Sequence, residues 1–174
     1  MGGLHSPGWS RFLDISLASF RAALQRFPAS SDEMAAPGGF LDFLDSSPDV
    51  FRREHAVGHF TGSAWLVSGD GERVLLTHHR KLGRWLQLGG HADGDGNLAR
   101  VALREAEEES GLGGLVVEPE IFDLDRHWIP SRDSEPGHWH YDVRFVVRAM
   151  GDEAFAVSEE SLALAWKPIG ELLA

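Results

Sequence analysis

The chain of 174 residues contains no cysteine. Disulfides, thiolate metal sites and cysteine nucleophiles are therefore excluded. No apolar run approaches the length of a membrane span, and the opening stretch "MGGLHSPGWSRF" lacks a secretory-signal pattern. A cytoplasmic location with no membrane partner is the expectation. Positive charge is also scarce: 16 Lys and Arg stand against 27 Asp and Glu, for a net charge of −11 with histidine neutral. Such a surface repels phosphate backbones, which argues against extended nucleic-acid binding. A small phosphorylated ligand stays compatible if cations are concentrated locally, and a bound metal would concentrate them. No internal repeat, low-complexity tract or long linker interrupts the chain. The remaining composition, 43% hydrophobic and 25% charged, is ordinary for a globular domain of this length.

Residues 9–27 place Trp9, Phe12, Leu13, Leu17, Phe20, Leu24 and Phe27 at helical spacing, with Pro28 as the stop. "FLDFLDSS" (40–47) and "PDVFRREH" (48–55) read as short helical pieces. Residues 1–56 are thus expected to form a helical N-terminal extension packed on a domain at 57–174. Strands follow: "FTGSAWLVS" and "RVLLTHH" flank Asp70-Gly71, a strong hairpin signal. "RWLQLGGH" reads as a short strand ending in glycines. A helix spans about 97–110, with Asp95 or Asn97 as N-cap and Gly111 placed for a left-handed C-cap. Further strands are expected near 120–128, 140–149 and 162–169, then a short helix. The sum is a layered α/β/α domain with a mixed sheet.

The stretch "ALREAEEESGL" (102–112) gathers glutamates at a helix C-terminus, where each carboxylate costs about 0.3–1 kcal/mol against the macrodipole. At 100° per residue, Glu105, Glu108 and Glu109 share one arc, which overlaps the edge of an apolar stripe. Glu107 points away. Arg104 lies four residues before Glu108, within reach of an ion pair. Converging carboxylates beside a core repel unless a cation sits between them, and hard divalent ions prefer oxygen ligands.

The wider stretch "WLQLGGHADGDGNLARVALREAEEESGL" (85–112) resembles the signature of the Nudix hydrolases, G-x5-E-x7-R-E-U-x-E-E-x-G-U with U a bulky apolar residue. Gly90, Arg104, Glu105, Glu108, Glu109, Gly111 and Leu112 match it, and Ala106 is a small occupant of an apolar position. The glutamate six residues after Gly90 is replaced by Gly96, with Asp93 and Asp95 close by. "AWKPIGEL" also looks like the family's last strand and helix. The resemblance implies a Nudix α/β/α sandwich that hydrolyses a phosphoanhydride in a nucleoside diphosphate linked to another moiety. It further implies Mg²⁺ or Mn²⁺ on Glu105, Glu108 and Glu109, with the Gly90 carbonyl as a further ligand. Arg104 would orient the glutamates, and Glu105 or Glu109 would take the water proton. The alternative is a Nudix-fold nucleotide-binding or regulatory protein without turnover, for which Gly96 is the argument.

Arg80, Lys81 and Arg84 precede the motif and suit contact with a diphosphate; an exposed basic turn is the competing reading. Trp85 is expected in the core. In "HWHYDVRFVV" (138–147), alternation sets His138, His140, Asp142 and Arg144 on one face and Tyr141, Val143, Phe145 and Val147 on the other. The apolar row must be core. The polar row is read as lining the substrate cleft, as is His91. A zinc site of histidines alone would require a convergence that spacing does not show. The partner expected is a small phosphorylated substrate, with a homodimer compatible; ADP-ribose, NADH, nucleotide sugars, dinucleoside polyphosphates and damaged nucleoside triphosphates all stay open.

Overall fold

The computed structural model describes residues 16–132, 135–159 and 161–172. In chain order they form α1 (Leu17–Arg26), α2 (Pro37–Ser46), β1 (Gly58–Val67), β2 (Arg73–His79), β3 (Arg84–Leu86) and β4 (Leu88–His91). Then come α3 (Leu98–Ser110), β5 (Leu115–Ile129), β6 (His138–Ala149), β7 (Ser161–Pro168) and α4 (Ile169–Leu172). All seven strands join one mixed sheet ordered β3-β2-β1-β6-β5, with β4 beside β1 and β7 beside β2. The expected α/β class, mixed sheet and N-terminal helices are all present. Among the described residues, no helix is long and apolar enough to cross a membrane.

β1 is the axis of the sheet because it satisfies two different partners. Its one parallel neighbour, β6, runs beside it from Gly58↔Trp139 to Val67↔Arg148. On its other side β2 pairs only at Val67↔Val74, next to the hairpin. The two strands then diverge, and β4 fills the gap from Ala64↔Leu88 to Thr61↔His91. This splaying is why "RWLQLGGH" is two strands rather than one: β3 stays with β2, while β4 crosses to β1.

Side chains alternate across these strands and divide the sheet into an apolar and a polar face. Phe60, Ala64 and Leu66 are buried toward the helices, in the same cluster as Tyr141, Val143 and Phe145 of β6. Phe20 of α1 meets the Phe60 ring edge-on at 5.5 Å, and Phe43 of α2 stacks on Tyr141 at 3.8 Å. α1 and α2 are joined by an Arg21–Asp45 ion pair. The earlier part of the expected first helix, with Trp9, Phe12 and Leu13, lies outside the described residues.

One expected helix is absent. Residues 48–55 form successive turns instead. The Val50 carbonyl accepts from Phe60 N at 2.8 Å and the Phe51 carbonyl accepts from Gly94 N at 2.8 Å. Those two acceptors are turned toward β1 and the loop before α3 instead of along a helical ladder. A second correction concerns Trp85, which is 41% exposed rather than core. Its ring stacks on His78 at 5.2 Å and carries Lys167 above it at 4.9 Å.

Candidate functional site

α3 is held at both ends as its sequence requires. The Asn97 side chain accepts from Arg100 N at 3.1 Å, a cap worth about 1 kcal/mol, and Gly111 closes the helix at φ 68°. Its inward stripe includes Ala99, Ala102 and Ala106, all buried. At Gly62, a Cβ would lie 2.8 Å from the Leu98 carbonyl, so α3 rests almost directly on the β1 backbone. The carboxylates near its end are thereby fixed against the sheet.

They are not equivalent. Glu109 is buried, and its Oε1 accepts from Gly89 N at 2.8 Å. Glu105 is half-buried, and its carboxylate sits so close to Gly90 that a Cβ there would collide with it. Glu108 is exposed. Arg104 does not bridge to Glu108, as helical spacing allowed. One of its NH2 hydrogens goes to Glu105 Oε1 at 2.9 Å, and NH2 also reaches the His91 carbonyl at 2.9 Å. It therefore clamps the end of β4 to the first glutamate.

Gly96 occupies the motif's remaining glutamate position, and two aspartate–arginine pairs brace the loop around it. Asp95 Oδ1 accepts from Asn97 N at 2.9 Å, and both Asp95 oxygens bind Arg100, at 2.7 and 2.8 Å. Asp93, at φ 51°, takes a two-pronged bond from Arg53, both prongs at 2.7 Å.

The polar face of β1 and β6 continues from this point. Asp142 is 2% exposed, and its Oδ1 accepts from Thr61 at 2.9 Å and Ser63 at 2.7 Å. Its Oδ2 accepts from Arg144 Nε at 3.0 Å. Arg144 also donates to Asp123 at 2.7 Å and Asp125 at 2.9 Å, both on β5. Burial opposes the charge of this guanidinium, yet Asp142, Asp125 and Asp123 together hold its pKa above the usual arginine value. The Asp125 carboxyl is held low, first by its bond to His127 and further by Arg144.

Histidines occupy the other end of the face. The strand register sets His59 beside His140 and His140 beside His127. The ring of His59 lies 5.0 Å from His91, 4.7 Å from His140 and 4.9 Å from His138, centre to centre. One ring nitrogen or another of His59, His91 and His140 lies within 4.8 Å of those of the other two. Burial, reinforced by neighbouring imidazoles, drives the His59 pKa down to about 3 and that of His140 down to about 2. His91 is lowered too, by burial first and then by Arg53. All three rings are neutral near pH 7.

Of the residues singled out from sequence, Glu105, Glu109, Gly90 and Arg104 come together at the α3–β4 junction. His91, His140, Asp142 and Arg144 extend along the adjoining sheet face. Arg80 instead turns away to β7, donating to the carbonyls of Glu159 at 3.0 Å and Ser161 at 3.1 Å. Lys81 is exposed on the same turn, and Arg84 is exposed at the start of β3. Sequence reasoning missed His59, His127, Asp123 and Asp125. Their alternation within each strand was visible, but the pairing that brings them to one face is long-range.

A sequence model described as the NUDIX domain matches residues 59–174. Comparison with curated proteins gives no match. Among solved structures, a C. elegans Ap4A hydrolase is similar with a TM-score of 0.51 and 13% identity, over 66% of this chain and 82% of that one. An E. coli dihydroneopterin triphosphate pyrophosphohydrolase gives 0.51 and 18%, over 64% and 82%. At those identities the likeness is one of fold. The domain match spans most of the chain and includes the glutamate helix, the Gly89-Gly90 turn and the polar strand face: this chain belongs to the NUDIX domain family.

Proposed function

We propose that the chain is a hydrolase that cleaves a phosphoanhydride bond in a nucleoside diphosphate linked to another moiety, with Mg²⁺ or Mn²⁺ as cofactor. The observation that carries this reading is the close approach of the Gly89-Gly90 backbone to two carboxylates of one helix. Gly89 N binds Glu109, and Gly90 leaves only the space that Glu105 fills. An all-oxygen donor set of this kind suits a hard divalent ion. Glu105, Glu108 and Glu109 would hold the ion, with the Gly90 carbonyl as a further ligand. When bound, it would neutralise phosphate charge and lower the pKa of water.

The protein's own groups do the rest. Gly89 N–H holds Glu109 through its Oε1. Arg104 fixes Glu105 through one oxygen and leaves the other beside Gly90. Either glutamate would accept a proton from the attacking water. Asp142 and Arg144, locked to each other and to β5, form a rigid floor, while Lys81 and Arg84 are the exposed cations suited to a diphosphate.

The test is an assay of nucleoside monophosphate release from ADP-ribose, NADH, a nucleotide sugar and a dinucleoside polyphosphate. Turnover of at least one that requires Mg²⁺ or Mn²⁺ and stops with EDTA is expected. Tight nucleotide binding without turnover would overturn the reading in favour of a binding or regulatory protein.

A further inference from the structure

We propose that His59, His91 and His140 form a second metal site, for an imidazole-seeking ion of the zinc class, distinct from the carboxylate site. The inference stands on the histidines alone and does not rest on the hydrolase reading.

His59 is the most telling residue. It is 1% exposed, and neither Nδ1 nor Nε2 has a hydrogen-bond partner among the described residues. A neutral imidazole carries one donor and one acceptor, and each left unmet in the interior carries its full desolvation penalty. A histidine serving only as core filler would ordinarily find a carbonyl or hydroxyl. Here the surroundings offer other imidazoles instead. Ring nitrogens of His91 and His140 lie within 4.8 Å of it and of one another. Three strands contribute one ligand each, and β1 pairs with both of the others. An ion at their centre would bond β1, β4 and β6 together and would satisfy one of the orphaned nitrogens.

Neighbouring contacts resemble those that orient metal-binding histidines. His138 donates from Nδ1 to the Pro136 carbonyl at 2.9 Å, which directs its Nε2 inward. That Nε2 accepts a direct hydrogen bond from Nε2 of His140 at 3.2 Å, which an ion between the two nitrogens would replace. Two nitrogens on one tetrahedral zinc, with bonds near 2.0–2.1 Å, are about 3.3 Å apart. His138 thus stands nearest as a fourth ligand. Bringing the other three to that spacing moves each nitrogen by at most about 1 Å, the scale of a side-chain rotation.

Donor chemistry separates the two sites. Neutral imidazoles suit Zn²⁺, Co²⁺, Ni²⁺ or Cu²⁺, while Mg²⁺ and Mn²⁺ prefer the glutamates. The sites are nevertheless adjacent, because His91 follows Gly90 and its carbonyl is held by Arg104.

The experiment uses the whole chain, stripped with a chelator, loaded with ZnCl₂ and desalted in excess Mg²⁺. We expect about one zinc retained per chain. Its X-ray absorption should show at least three imidazole nitrogens, and Co²⁺ in its place should give the visible absorption of a nitrogen-ligated site. His91→Ala and His140→Ala, both at half-buried positions, should each weaken zinc at least about tenfold; Glu109→Gln should not. No retained zinc, a shell of oxygens only, or zinc lost in Glu109→Gln but kept in His91→Ala would each overturn the proposal. The absorption measurement needs no variant, so misfolding of a mutant cannot obscure the answer. Failure of the hydrolysis assay would leave this result untouched.

Discussion

The carboxylate end and the imidazole end of the polar face are assembled in opposite ways. Glu105 and Glu109 lie one helical turn apart on α3, and the Gly89-Gly90 turn that meets them is nearby in sequence. His59, His91 and His140 come from three strands whose adjacency exists only after the sheet forms. A site on one helix inherits its geometry from 3.6-residue periodicity. A site across strands inherits it from register, which is decided by the whole fold. The first end is negative and suits hard ions; the second is neutral and suits softer ones.

The largest expected effect separates the two ends by chemistry. Glu109→Gln keeps an oxygen able to accept from Gly89 N but removes a charged ligand. Turnover with Mg²⁺ should fall by about a hundredfold or more, with zinc retention unchanged. Steady-state kinetics beside a zinc titration check this. Full activity would detach α3 from the chemistry.

How much of this was legible in the sequence follows the same division. The hairpin at Asp70-Gly71 and the caps of α3 at Asn97 and Gly111 are local, and the structure has them where spacing put them; of the three glutamates, Glu105 and Glu109 meet the Gly89-Gly90 turn while Glu108 is exposed. The polar row of β6 was legible as a row because strands alternate. Its neighbours were not: nothing in "HFTGS" says that His59 runs parallel to His140. Trp85 failed for a related reason, since β3 is a short outer strand and a large ring there lies on the surface, against His78. The 48–55 segment failed because its carbonyls are claimed by distant partners, Phe60 and Gly94.

The next effect tests the floor between the ends. Arg144 serves three carboxylates, one of them almost fully buried. Arg144→Met should destabilise the protein by about 3 kcal/mol, because it strands a buried charge at Asp142. Arg144→Lys should recover only part, as an ammonium cannot bridge three carboxylates in the guanidinium's plane. Chemical denaturation of both variants measures this. An unchanged midpoint would make the network a surface feature.

A smaller effect concerns the imidazole end without metal. The His59 pKa is depressed in the folded chain to about 3, below its unfolded value. Between those two values the unfolded state binds the extra proton, so stability falls as pH drops below about 6.5. Each such histidine adds a slope of about 1.4 kcal/mol per pH unit. For EDTA-treated protein, His59→Gln should flatten the stability profile between about pH 6 and 4 relative to the parent. Parallel profiles would mean that His59 takes up its proton in the folded state as well.

The smallest expected effect returns to the carboxylate end, at Gly96. The residue has no positive φ, and a Cβ there would meet only the Phe51 ring, at 3.9 Å. Substitution is therefore sterically open, and losing glycine removes freedom from the unfolded chain. A carboxylate before α3 also favours the macrodipole by about 0.3–1 kcal/mol. Against this, Asp95 already sits at that end and is paired with Arg100, so a second negative charge gains less. Gly96→Glu should hold the Tm or raise it by no more than about 3 °C. Turnover should change by less than about tenfold, since Glu105 and Glu109 keep their partners. A large gain in turnover would mean that the native chain lacks a part it needs, favouring the binding or regulatory reading. A marked fall in Tm would mean that the new glutamate draws Arg100 away from Asp95, and that this aspartate pair, not the missing glutamate, is what holds the loop in this protein.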